Sequence, residues 1–196
     1  MSQGTPPRPA GLLPRPPLWE RGRLLKLIAL FGVAVVATVV SFAIVSRISG
    51  PRLLPPGSPA PQIALDDSNG GRVVILGANA PARPTVLEFF ETTCAICQRE
   101  VAPLCQVHTA HAGADFYALD AARESAAAVN GFRTSQGGGC ITFPVLLDPQ
   151  SSVLRAYSVT VVPTVYLVDT RGRVVYSGTG AGGVDGLDAA LRSLHA

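Results

Sequence analysis

The sequence predicts an α/β domain, a mixed central sheet flanked by helices, preceded by one N-terminal transmembrane helix. Three observations carry that prediction. Residues 27–45 form a nineteen-residue run without a charge. Beyond residue 57, short β-branched or apolar runs alternate with helical periodicities, then close with a hairpin and a helix. A C-x-x-C pair, Cys94 and Cys97, falls where a strand gives way to a helix.

Length and composition fit one ordinary domain plus added segments. Of the 196 residues 47% are hydrophobic, enough to build a core and unlike a disordered chain. The net charge of +3 conceals a split. Residues 1–50 carry Arg8, Arg15, Arg21, Arg23, Lys26 and Arg47 against Glu20 alone, a net +5; the remainder is net −2. The basic excess is therefore an N-terminal membrane address, and no nucleic-acid surface is expected.

Residues 1–26 are rich in proline, which supplies no helical ladder, and predict a disordered cytoplasmic tail. The run 27–45 matches the roughly 20 residues needed to cross a bilayer. Arg21, Arg23 and Lys26 precede it, so the positive-inside rule leaves the tail in the cytoplasm and sends the rest of the chain outside. A cleaved signal peptide competes, but its apolar region is shorter and no A-x-A-like site follows Val45. Residues 46–56 read as a linker, and 57–196 as the folded domain.

Within that domain, runs at 73–76, 85–90, 116–119, 143–147, 164–168 and 173–176 predict strands, the last two joined by a turn at Thr170-Arg171-Gly172. Helices are expected over 95–112, 121–132 and 184–194. In the first of these, Val101, Leu104, Cys105 and His108 share one face.

A cysteine at a helix N-terminus has its thiolate stabilised by unpaired N–H groups and the helix dipole. A second cysteine three residues on can attack the resulting mixed disulfide. Cys94 is thus the candidate nucleophile and Cys97 the resolving thiol. A zinc site would need a second ligand pair, and Cys105 lies about 12 Å further along the helix at roughly 1.5 Å per residue. No metal and no cofactor are expected.

The sequence resembles the thioredoxin superfamily, above all its membrane-anchored extracytoplasmic members of the cytochrome c maturation type. Four stretches carry the resemblance: Gly57-Ser58-Pro59-Ala60-Pro61 with Ile63 and Leu65; Thr85 to Phe90 running into Cys94-Ala95-Ile96-Cys97; Phe143 to Asp148; and Val162-Pro163-Thr164 continuing to Asp169 and Gly172. It implies a thioredoxin-like fold and thiol–disulfide exchange with protein substrates, recycled by a membrane electron donor or acceptor. It implies that Pro163 is a cis-proline facing the pair, and that Val162 and Thr93 border the substrate. Glu88, six residues before Cys94, becomes a buried acid that relays a proton to or from Cys97. Three features depart from the family: Thr93 replaces the usual tryptophan, Ala95-Ile96 lacks the usual proline, and Pro103 falls one residue late.

Cys105 and Cys140 are candidates for a structural disulfide, with Gly137-Gly138-Gly139 giving the loop room; the alternative for Cys105 is a buried free thiol. His108 and His111 read as core-edge or surface residues. Two rival functions remain. A peroxiredoxin-type peroxidase would want threonine where Glu91 stands. A copper-binding module could use the soft thiolates, but its relatives space the cysteines one residue wider.

Overall fold

A computed structural model describes residues 26, 28–41, 53–136 and 138–194 of the chain. Residues 28–41 are helical, and Ile28, Leu30, Phe31, Val33, Val36 and Val39 stand exposed along them. Among the described residues no helix is long and apolar enough to cross a membrane. The expected span ends at residues 27 and 42–45, which lie outside the described residues, as do the tail at 1–25 and the linker at 46–52.

Residues 53–194 are described by themselves. In chain order they form β1 (Ile63–Asp67), β2 (Arg72–Ile75), β3 (Thr85–Phe90), α1 (Ala95–Ala110), β4 (Asp115–Asp120), α2 (Ala126–Ser135), β5 (Val145–Leu147), α3 (Ser152–Ala156), β6 (Thr164–Val168), β7 (Val174–Thr179) and α4 (Gly183–Leu194). The seven strands make one mixed sheet in the order β2-β1-β5-β4-β3-β6-β7. Strand β3 runs parallel to β4 and antiparallel to β6, with Glu88 opposite Ala118 and Val165. All six residues of β3 are buried, because both faces of a central strand are covered.

Alternation along β3 sorts the core. Val86 and Phe90 face α1, α2 and α4, where they meet Val101, Leu104, Phe132, Leu187 and Leu191. Leu87 and Phe89 face the other way, against Ile63, Leu146, Val153, Tyr157 and Tyr166. The second face carries the five-residue helix α3 and the segment before β1. Hydrogen bonds lock that segment down: Tyr157 donates to the Pro61 carbonyl at 2.8 Å, Tyr166 donates to the Tyr157 carbonyl at 2.6 Å, and the Leu54 amide donates to Tyr166 at 3.1 Å.

Other boundaries shift for local reasons. The helix expected from Ala121 starts at Ala126. The Asp120 carboxylate accepts from the Ala122 and Glu124 amides at 2.9 and 2.6 Å, which holds 121–124 in a turn. Arg123 then takes φ 61°, and Ser125 caps the helix by accepting from the Ala128 amide. The strand expected from Phe143 begins at Val145, after Pro144, which has no amide to donate. Helix α3 was not foreseen; the Asp148 carboxylate organises it by accepting from the amides of Ser152, Val153 and Leu154. The β6–β7 turn is where the sequence put it, with Gly172 at φ 72° and Asp169 accepting from the Arg171 and Arg173 amides.

Candidate active site

The loop after β3 runs through Thr92 and Thr93 into α1, and Cys94 is the N-cap of that helix. Its Sγ accepts the Cys97 amide at 3.2 Å, so the sulfur takes up one of the unpaired donors of the first turn. Cys94 is partly exposed and Cys97 is buried, and both are free thiols. Ala95 and Thr93 are exposed beside them, and Ile96 is half-buried.

The β6 loop faces the pair. The Val162–Pro163 peptide bond is cis, as the resemblance implies. Cys94 Sγ lies 4.0 Å from the Val162 carbonyl oxygen. Thr164 ties the loop to itself by donating to the Val161 carbonyl at 2.6 Å, and the Pro163 carbonyl accepts from the Gly180 amide at 2.9 Å. Val161 is exposed.

Behind the pair lies a cavity lined by Glu88, Cys97 and Glu100 among apolar side chains, including Phe90, Leu104, Phe132, Ile141 and Phe143. Glu88 Oε2 and Glu100 Oε1 are buried and accept no hydrogen bond from the described residues. Burial, then the neighbouring Glu100 and Cys94, push the Glu88 carboxyl well above the usual range. Burial, then Asp185, push Glu100 up to about 7. The Cys97 thiol is pushed up by burial and by its hydrogen bond with Cys94. Burial therefore favours the neutral form of all three groups and makes an ionised Glu88 a stronger proton acceptor than an exposed carboxylate.

Two residues of this site went unread in the sequence. Glu100 sits three residues after Cys97, on the same helix face. Glu124 reaches across from the β4–α2 turn, and its carboxylate accepts from both the amide and the hydroxyl of Thr92, the amide bond being 2.9 Å. Gln98 holds the same residue from the other side, donating to the Thr92 carbonyl at 2.8 Å.

Cys105 and Cys140 are bonded to each other and do not themselves line that cavity. His108 packs against Phe116 and Phe143, and His111 contacts Asp188 at 2.8 Å. Among the described residues, no group of three or more His, Cys, Asp or Glu could hold a metal ion.

The AhpC/TSA family model matches residues 56–177. The chain belongs to that family. It is 32% identical over 161 residues to the thiol-disulfide oxidoreductase ResA of Bacillus subtilis, covering 81% of this chain and 82% of the relative. ResA of Geobacillus kaustophilus is 29% identical, with 70% of this chain and 77% of the relative covered. Among solved structures, DsbF of Mycobacterium tuberculosis, in mixed oxidized and reduced forms, superimposes with a TM-score of 0.59 at 26% identity, over 68% of this chain and 95% of that one. The putative DsbE of Chlorobium tepidum has the same fold, with a TM-score of 0.61 at 22% identity over 71% and 97% of the two chains. The chain is a redoxin-type member of the thioredoxin superfamily and a thiol–disulfide oxidoreductase.

Proposed function

We propose that this AhpC/TSA-family chain exchanges disulfides with protein substrates through Cys94 and Cys97, on the extracytoplasmic side of a membrane. One observation carries the reading: Cys94 Sγ, partly exposed, caps α1 and accepts the Cys97 amide, which sets an accessible thiol and a buried one three residues apart at a helix start, the arrangement exchange needs. Cys94 attacks the substrate disulfide and forms a mixed disulfide, and the departing substrate sulfur takes a proton. Cys97 then attacks Cys94 Sγ. Its proton passes to the ionised form of Glu88, whose Oε2 has no hydrogen-bond partner among the described residues; the second substrate sulfur leaves and takes a proton from solvent, and Glu88 returns its own proton to solvent. Oxidation of a substrate dithiol is the same sequence reversed.

The Val162 backbone and the exposed Thr93 flank Cys94 and suit an extended substrate segment laid against the cis-proline loop. The anchor reading is supported by the uncharged run 27–45, by the basic residues before it, and by apolar side chains exposed along 28–41. The domain order is then a cytoplasmic tail at 1–26, the anchor, a linker at 46–56 and the redox domain at 57–196. A membrane donor or acceptor of electrons recycles the pair.

The test is a trapping experiment in the full-length chain. Cys97→Ser accumulates a mixed disulfide with protein partners through Cys94, seen as a reducible high-mass band. If no such species forms, and the intact pair never cycles with a dithiol, the reading fails.

A further inference from the structure

Two of the walls of the cavity behind Cys97 come from α1 and from the segment before β5, beside those from β3, β4, α2 and β5 itself. Helix α1 supplies Cys97, Glu100, Val101 and Leu104; the segment before β5 supplies Ile141 and Phe143. A single covalent bond ties them. Cys105, next after Leu104, is bonded to Cys140, immediately before Ile141. The segment's other contacts are weaker: Arg133 of α2 donates to the Ile141 carbonyl at 3.0 Å, and the Phe143 ring packs on His108 of α1 and Phe116 of β4. Gly138 and Gly139, just before the segment, take φ values of 51° and 86° and add no side chain to the packing.

The two sulfurs are not equivalent. Cys105 is 7% exposed. Cys140 is half-buried and lines an open groove of about 540 Å³ together with Arg83, His108, Thr142 and Pro144. That is the size of a small-molecule site, so a small thiol can reach Cys140 from outside without entering the cavity.

We propose that Cys105–Cys140 is a second thiol-exchange site, attacked at Cys140 by a small dithiol in this groove, and that breaking it opens the cavity behind Cys97 to water. The proposal rests on the reading of Cys94 and Cys97 as the exchange pair, whose surroundings it regulates. A thiolate of the dithiol attacks Cys140 Sγ, the Cys105–Cys140 bond breaks, and Cys105 leaves and takes a proton. The second thiol of the reagent then attacks its own mixed disulfide and releases Cys140 as a thiol. The reagent ends as a disulfide and the protein gains two thiols.

Freed of its tie to α1, the Ile141–Phe143 wall can separate from Leu104 and Val101. Burial is the leading cause of the raised pKa values of Glu88, Cys97 and Glu100, so admitting water lowers all three. The charged and titratable groups acting on them are Cys94 on α1, Asp185 on α4 and Tyr176 on β7, with Arg133 of α2 at the cavity wall.

The experiment uses the full-length chain carrying Cys94→Ser, which leaves Cys97 as the sole active-site thiol. Its alkylation by iodoacetamide is timed with Cys105–Cys140 intact and again after reduction by dithiothreitol and removal of the excess. Each unit by which the Cys97 pKa falls raises its thiolate fraction about tenfold, and at least that acceleration is expected after reduction. Peptide mass spectrometry after a short exposure to 2-mercaptoethanol is expected to find the first adduct on Cys140. Amide exchange is expected to rise at 138–143 and to stay slow at 85–90. The Cys105→Ala/Cys140→Ala chain, also carrying Cys94→Ser, repeats the timing without reductant. An unchanged Cys97 rate, a first adduct on Cys105, or reduction only together with exchange at 85–90 overturns the proposal. Failure of the exchange reading shows separately, in trapping with Cys94 present, and leaves this measurement interpretable.

Discussion

Cys94 and Cys97 occupy the first turn of α1 as free thiols, whereas Cys105, two turns further along the same helix, is bonded to Cys140. Cys97 lines the cavity, as do Leu104 and Ile141 next to the crosslink, and Cys97 and Cys105 are about equally buried, at 4% and 7% exposed. What separates them is backbone. Cys94 sits at a helix end with a spare N–H to accept, and its partner is fixed three residues away by helical geometry. Cys105 sits mid-helix, where its amide already serves the ladder, and its partner comes from a loop 35 residues on. Position relative to the helix terminus, more than burial, distinguishes the proposed exchanging pair from the crosslink.

The largest expected effect tests that distinction directly. Cys94→Ser is expected to reduce turnover of a protein disulfide such as that of insulin to the uncatalysed background, because the proposed nucleophile is gone. Retained turnover would assign the nucleophile elsewhere and break the comparison. The crosslink shows itself in stability instead. Closing a loop of 35 residues constrains the unfolded chain, and the entropy model gives about 3–4 kcal/mol for that length. Urea unfolding of Cys105→Ser/Cys140→Ser is expected to show a loss of that size; a loss below about 1 kcal/mol would mean that the loop is already held by Arg133 and the Phe143 packing.

A somewhat smaller effect separates the chamber from ordinary surface acids. Glu88 and Glu100 both have folded pKa values above their unfolded ones, and Glu100 reaches about 7 from 4.5. A raised carboxyl contributes stability that is fully present below the unfolded pKa and is lost as pH rises through the folded one. The domain should therefore lose up to about 3 kcal/mol through Glu100 between pH 4.5 and 7, and Glu88, also raised, adds a loss of the same sign. Glu100→Gln is expected to flatten that slope between pH 4.5 and 7 in denaturation measured across pH. A slope identical in the variant would show that Glu100 is hydrated in solution.

Much of this arrangement was readable in the sequence because it rests on local patterns. The run Thr85–Phe90 is apolar enough to be a central strand, and its junction with C-x-x-C placed Cys94 at a helix start. Pro163 was placed by its Val-Pro-Thr context. Glu100 was missed because acids default to the surface and Gln98-Arg99-Glu100 reads as a polar stretch. Its signal was the spacing, since positions 97, 100, 101 and 104 share a helix face and all four are buried. The start of α2 was misplaced because Ala121 and Ala122 favour helix, while the competing Asp120 side chain acts only once its strand is in place. Glu124 had no sequence signal at all, because its partner Thr92 is 32 residues away and is reached only through the parallel pairing of β3 with β4.

That last contact sets the smallest expected effect, and it bears on how the open pair is held. The Glu124 carboxylate takes two donors from Thr92, while Gln98 donates to the Thr92 carbonyl, so the turn leading into Cys94 is gripped from both sides. Glutamine at 124 offers one carbonyl oxygen and turns an N–H₂ group toward one of the two donors, so one hydrogen bond is lost. Glu124→Gln is expected to cost about 1–2 kcal/mol, the range for a hydrogen bond to a charged group less what water restores. A double-mutant cycle with Thr92→Val should give a coupling of at least about 0.5 kcal/mol, above the scatter of independent sites. Additive losses would mean that the turn is held by the Cys94 cap and Gln98 alone, and that the exchanging pair, unlike the crosslinked one, needs no tie outside its own helix.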